Sequence, residues 1–128
     1  MNQLSSLHLL YIFIGGGSGS LLRYLLGYGV ARLWGEPTPW ATWGINLLGS
    51  LFIGYLLGRM GEFSSEASLS LRCLLIVGFC GGFTTFSTFS AELLSQLREG
   101  YLLGALSYVV YSVCGGLLAV YLGSKLAE

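Results

Sequence analysis

No aspartate occurs in this 128-residue chain, histidine occurs once, and charge of either sign is scarce. Charged residues make up 9% of the sequence, where soluble domains carry roughly 25%. So little charge cannot cover a water-exposed surface of this size, so lipid is the solvent for most of it. Six Lys/Arg balance six acidic residues, all glutamate. That leaves no basic patch for nucleic acid and no acidic run for cations. The single histidine, His8, excludes a multi-histidine metal site, and no nucleophile is paired with a base. The three cysteines, Cys73, Cys80 and Cys114, are odd in number and widely spaced in apolar sequence, which argues for small buried thiols rather than a disulfide framework or a zinc site. Gly15-Gly16-Gly17-Ser18-Gly19 follows no strand and lacks the lysine of a phosphate-binding loop. These absences weigh against an enzyme.

What the chain does have is long apolar runs. It is 54% hydrophobic, with a mean hydropathy of +0.73. A membrane-crossing helix needs about 20 mostly apolar residues, and four segments qualify: 7–31, 40–58, 69–94 and 101–122. The first has no Lys or Arg ahead of it and runs on into apolar sequence, as a retained span does and a cleaved signal does not. Gly35-Glu36-Pro37-Thr38-Pro39 separates the first two spans, flanked by Trp34, Trp40 and Trp43 as interfacial anchors. Arg59 to Glu66 separates the second and third, and Gln96 to Gly100 the third and fourth. The expectation is one all-α transmembrane domain with both termini on one side.

Charge scarcely orients it. The side with the termini and the middle loop carries Arg59, Arg72 and Lys125, and the opposite side carries Arg32 and Arg98. Either Arg23 or the insertion machinery fixes the direction, or the chain inserts both ways and pairs antiparallel. Gly44, Gly49, Gly54 and Gly58 fall four or five apart in the second span, a small-residue packing pattern that suggests a homo-oligomer.

Few polar groups interrupt the apolar runs. Arg23 is the one full charge well inside a span: either a functional charge that gathers anions at a pore mouth, or a side chain snorkelling to the headgroups. Asn46 must face protein or water, as an interhelical hydrogen bond or as a contact to an ion. The third span holds Gly78-Phe79-Cys80-Gly81-Gly82-Phe83-Thr84-Thr85-Phe86-Ser87-Thr88-Phe89-Ser90, which lipid tolerates only where it meets protein or a wet path. Gly81-Gly82 ahead of Thr84-Thr85 predicts a break in mid-membrane, where freed carbonyls can bind a cation and a new helix N-terminus can face an anion. Phe86 and Phe89 stand on neighbouring positions of one face, with Ser87 and Thr88 beside them. Their ring edges are positive and can meet an anion, or the rings can pack as core. Tyr108 and Ser112 share a face of the fourth span, as a polar track or as ties between helices.

These residues give the chain its resemblance to a known family. The third-span motif followed by Glu92, together with Gly16-Gly17-Ser18-Gly19 leading to Arg23-Tyr24 and Thr42-Trp43-Gly44-Ile45-Asn46-Leu47-Leu48-Gly49, resembles the Fluc/CrcB fluoride channels across all four spans. The resemblance implies four transmembrane helices with a broken third helix, an antiparallel dual-topology homodimer in the bacterial inner membrane, and passive fluoride efflux that protects against fluoride toxicity. It implies fluoride-facing rings at Phe86 and Phe89, hydrogen bonds to the ion from Asn46, a path lined or supported by Thr84, Thr85, Ser87 and Thr88, and a vestibule arginine at Arg23. It also implies a structural sodium at the dimer centre on the Gly81 and Thr84 carbonyls. Tyr108 and Ser112 fit a polar track on the fourth span that is incomplete here, since the next turn offers Gly115 and Gly116. The competing reading is a small four-helix dual-topology multidrug exporter, which the absence of a carboxylate from the first two spans opposes. A third is a membrane assembly factor whose polar residues only join helices.

Overall fold

The computed structural model describes residues 4–60 and 65–128. Among the described residues there are helices and turns and no strand. Helix α1 is Ser6–Trp34, α2 Pro39–Met60, α3 Glu66–Leu71, α4 Gly81–Phe83, α5 Phe86–Arg98 and α6 Leu102–Leu126. Between α3 and α4, Arg72–Cys80 winds as a π-helix. The stretch Glu66–Arg98 forms one membrane-length unit, so four helical units are long and apolar enough to cross a bilayer.

The spans overrun their expected C-terminal ends for a common reason. Arg32, Arg59, Arg98 and Lys125 each sit in the last turn of their helix. Hydropathy excludes these cations, but the negative end of the helix dipole favours them, and their stems snorkel. Gly35 closes α1 at φ 87°, with its N–H on the Ala31 carbonyl at 2.8 Å. Pro39 opens α2 instead of ending the linker, since the first turn needs no N–H from it. In the middle connection, Arg59 and Met60 belong to α2 and Glu66 opens α3; residues 61–64 lie outside the described residues.

The helices pack as two pairs. α1 lies along the π-helix and α4, and α2 lies along α6. Glycine lets each pair close to backbone contact. A Cβ on Gly54 would run into the Val120 carbonyl, and one on Gly123 into that of Leu51. A Cβ on Gly82 would meet the Gly16 carbonyl. This revises the reading of the α2 glycine stripe. Gly49 faces Thr84 and Phe83, Gly54 faces Val120 and Gly58 faces Ala127, so three of the four pack inside the chain. The stripe therefore does not argue for a second copy. The two pairs meet over Leu56, Met60 and Cys80, with Phe52 set edge-on to Phe79 at 5.9 Å. Cys73 and Cys80 are buried as expected, but Cys114 is exposed on α6.

The third unit changes partners along its length. Its first part packs on α1, whereas α5 packs on α6 and α2. Two residues with extended backbone, Thr84 (φ −85°, ψ 157°) and Thr85 (φ −148°, ψ 117°), separate the two parts.

Candidate functional site

The geometry of the site starts at those two threonines. The sequence places the weak point at Gly81-Gly82, yet Gly81 is helical (φ −61°, ψ −39°) and the backbone leaves the helix only at Thr84. Gly82 serves the close approach to α1 instead. β-Branched threonine is suited to extended backbone, and each hydroxyl finishes a helix end. Thr84 Oγ1 donates to the Cys80 carbonyl at 2.8 Å, beside the Thr84 N–H at 3.0 Å. Thr85 caps α5, its Oγ1 accepting the Thr88 N–H at 3.1 Å.

Asn46 on α2 holds the extended peptide. Its Oδ1 accepts the Thr85 N–H at 2.8 Å, and its Nδ2 donates to the Thr85 carbonyl at 3.1 Å. In an unbroken helix that N–H would serve the carbonyl four residues back, which is Gly81. The side-chain amide thus substitutes for backbone pairing and leaves the exposed Gly81 carbonyl without that partner. One Nδ2 hydrogen remains for any further acceptor.

Beyond the break, the two phenylalanines differ. Phe86 is 79% exposed and Phe89 8%, with ring centroids 5.8 Å apart. Phe89 lies edge-on to Tyr108 at 4.9 Å. The Tyr108 hydroxyl donates to Glu92 Oε2 at 2.6 Å, and Thr42 Oγ1 donates to Glu92 Oε1 at 2.6 Å. A carboxylate inside the third unit therefore has a donor on each oxygen. Glu92 entered the sequence reading only as the end of a motif, and Thr42 only within one. Their partners lie 50 and 16 residues away, so nothing local in the sequence marks the cluster.

Two clefts meet at Thr85. One, of about 480 Å³, is bordered by Asn46, Ser50, Gly81, Thr84, Phe86 and Ser112. The other, of about 340 Å³, is bordered by Arg23, Thr42, Thr85, Thr88 and Glu92. Arg23 Nε donates to the Gly82 carbonyl at 3.1 Å, and Ser20 Oγ reaches the same oxygen at 3.4 Å. Arg23 is half-buried, and its Nε is tied to the third unit. Among the described residues it makes no ion pair, and the acid–base contacts found, His8–Glu66 at 3.3 Å and Lys125–Glu128 at 3.1 Å, lie elsewhere. Thr85 Oγ1 also lies 3.1 Å from Thr88 Oγ1 and 3.3 Å from the exposed Ser87 hydroxyl. Ser112 Oγ is buried and has no hydrogen-bond partner.

The expected residues thus assemble around one break. Asn46, Thr84, Thr85, Phe86, Phe89 and Ser112 border the first cleft, and Arg23, Thr85 and Thr88 the second. Tyr108 reaches the site through Glu92 and Phe89. The arrangement offers hydroxyl and amide donors, an arginine and the N-terminus of α5, all suited to a small anion. Among the described residues there is no group of three His, Cys, Asp or Glu side chains able to hold a metal.

Comparison with known proteins gives a consistent result. Residues 10–124 match the model of a family described as CrcB-like protein, Camphor Resistance (CrcB). A protein of Bacteroides fragilis named fluoride-specific ion channel FluC is 45% identical over 123 residues, covering 94% of this chain and 95% of that one. The protein of the same name from Phocaeicola vulgatus is 43% identical, covering 94% of this chain and 98% of its own. That from Chloroflexus aurantiacus is 45% identical, covering 94% and 95%.

Proposed function

The chain belongs to the CrcB-like family, and from that membership we infer that this multi-pass membrane protein is a fluoride-specific ion channel. The reading extends to passive fluoride efflux across a bacterial inner membrane, protecting the cell from fluoride. One observation carries the mechanism: a backbone break pinned by Asn46 gathers donors and an aromatic pair on a cleft wall otherwise built from apolar helices.

Fluoride is small and strongly hydrated, so a path for it must replace its water. Hydroxyls at Ser87, Thr88 and Ser112, the free hydrogen of Asn46 and the ring edges of Phe86 and Phe89 supply that replacement without a full positive charge in the path. Conduction requires binding strong enough for entry and weak enough for exit. Arg23, held on the Gly82 carbonyl, sits where it raises the local anion concentration. The exporter alternative is not favoured: α1 and α2 carry no acidic residue, and Glu92 is committed to Thr42 and Tyr108.

The finer reading is an antiparallel dual-topology homodimer with a broken third helix in each copy and a sodium ion between them. The residues fit sodium, a hard cation suited to oxygen ligands. Asn46 diverts the usual partner of the Gly81 carbonyl, and the extended backbone redirects the Thr84 carbonyl. Such unwound carbonyls are cation ligands in broken membrane helices. Two oxygens from one chain leave a shell incomplete, and a second copy would add two more. When bound, the ion would supply a fixed positive charge that holds the two breaks together.

Purified protein in liposomes loaded with fluoride or chloride tests this. The expected result is fluoride efflux without chloride efflux and without a proton gradient, with activity and assembly impaired when potassium replaces sodium. Silence toward fluoride in well-inserted protein would overturn the channel. Equal behaviour in either cation would overturn the sodium site alone.

A further inference from the structure

On α6, Tyr108, Ser112 and Gly116 follow one another at intervals of four and so share a face. The polar character of that face stops at Ser112, because Gly116 has no side chain. The wall opposite Gly116 is not apolar. An added Cβ on Gly116 would have Ser50 Oγ of α2 as its nearest neighbour, at 3.8 Å. Ser50 borders the same cleft as Asn46 and Ser112, one helical turn beyond Asn46 on α2. Among the described residues the Ser50 hydroxyl makes no hydrogen bond, and Ser112 Oγ is buried without one.

A hydroxyl left unpaired away from water costs about 1–3 kcal/mol. Ser112 is such a hydroxyl, and Ser50 borders the same cleft on the facing helix without a protein partner, so an acceptor that visits the cleft explains the pair better than helix packing does. Gly116 puts no side chain between α6 and the Ser50 hydroxyl.

We propose that Ser50 is a further fluoride-binding hydroxyl of the permeation path, supplied from α2 at the level where α6 carries Gly116 and has none to give. The proposal rests on the fluoride-channel reading. An anion leaving Ser112 in the direction of Gly116 passes from a donor on α6 to a donor on α2, and its loss of water stays compensated. Gly116 and Ser50 then form a matched pair. The glycine provides the room and the serine provides the proton donor.

Fluoride efflux from liposomes, read with a fluoride electrode, tests the pair in four proteins: the parent, Ser50→Ala, Gly116→Ser and the double variant. Ser50→Ala is expected to slow efflux about tenfold, the scale of a lost hydrogen bond to an ion. Ser50→Cys, which keeps the size but donates weakly, is expected to be slowed as well. In the double variant the new side chain starts from a position whose Cβ has room, 3.8 Å from where the Ser50 hydroxyl stood, and efflux is expected to return to within about threefold of the parent. A purely structural serine would show no such rescue. Efflux at the parent rate in Ser50→Ala would overturn the proposal, as would a slow double variant that assembles as the parent does. A parent protein silent toward fluoride would instead overturn the channel reading beneath it.

Discussion

Replacing Asn46 removes the two hydrogen bonds that hold the extended Thr85 peptide, at 2.8 and 3.1 Å. Asn46→Ala leaves one N–H and one carbonyl without partners. In a protein interior each orphaned group costs about 1–3 kcal/mol. Polar pairs between membrane helices average nearer 0.6 kcal/mol, with a maximum of about 1.7, because the unfolded chain in the membrane also finds partners. Two such bonds give an expected loss of about 2 kcal/mol, or about thirtyfold in the folding equilibrium. Asn46→Asp is expected to be worse than alanine. It keeps the acceptor for the Thr85 N–H but turns an acidic oxygen toward the Thr85 carbonyl, where Nδ2 now donates. Reversible unfolding in mixed micelles measures the stabilities, and fluoride efflux from liposomes measures the path in parallel. Both variants are expected to lose stability and flux together, in the order Asp worse than Ala. An alanine variant as stable as the parent would refute the pinning role. If that stable variant had also lost flux, Asn46 would act on the ion alone.

The aromatic pair separates in the same two measurements. Phe86→Ala is expected to leave the stability of the single chain within about 0.5 kcal/mol, because the ring is 79% exposed, while efflux falls. Phe89→Ala is expected to lose about 3 kcal/mol or more, since that ring is buried on Tyr108; equal stability losses would show that both rings are core. For the antiparallel dimer, Lys125 is the only lysine and its ammonium is half-exposed at the end of α6. A membrane-impermeant amine reagent is expected to label it from both faces of the inner membrane in similar amounts, and labelling from one face alone would exclude dual insertion.

The spans are legible in the sequence because lipid requires one simple thing of a helix, an unbroken apolar length. Their C-terminal ends are less so, because hydropathy sets Arg32, Arg59, Arg98 and Lys125 outside helices that in fact include them. Where the third unit takes up extended backbone is not legible. Intrinsic propensity points to Gly81-Gly82, yet tertiary contacts keep both glycines helical and an amide 39 residues away opens the chain at Thr84 and Thr85. The same distance effect hides Glu92, whose partners lie on α2 and α6. The α2 glycines read as contact points, but the pattern carries no information about whether the partner helix belongs to the same chain. It belongs mostly to α6 and the third unit.

The amide of Asn46 also bears on the order in which the chain enters the membrane. A third span released into hydrocarbon with the Thr85 backbone groups open would carry a penalty of several kcal/mol for each. Asn46 lies in α2, 39 residues ahead of Thr85, and is therefore synthesised first. The cap thus waits for the break, and the third span can leave the insertion machinery without α6. With Asn46 on α6 instead, every newly made chain would have to hold that break exposed until synthesis was nearly complete.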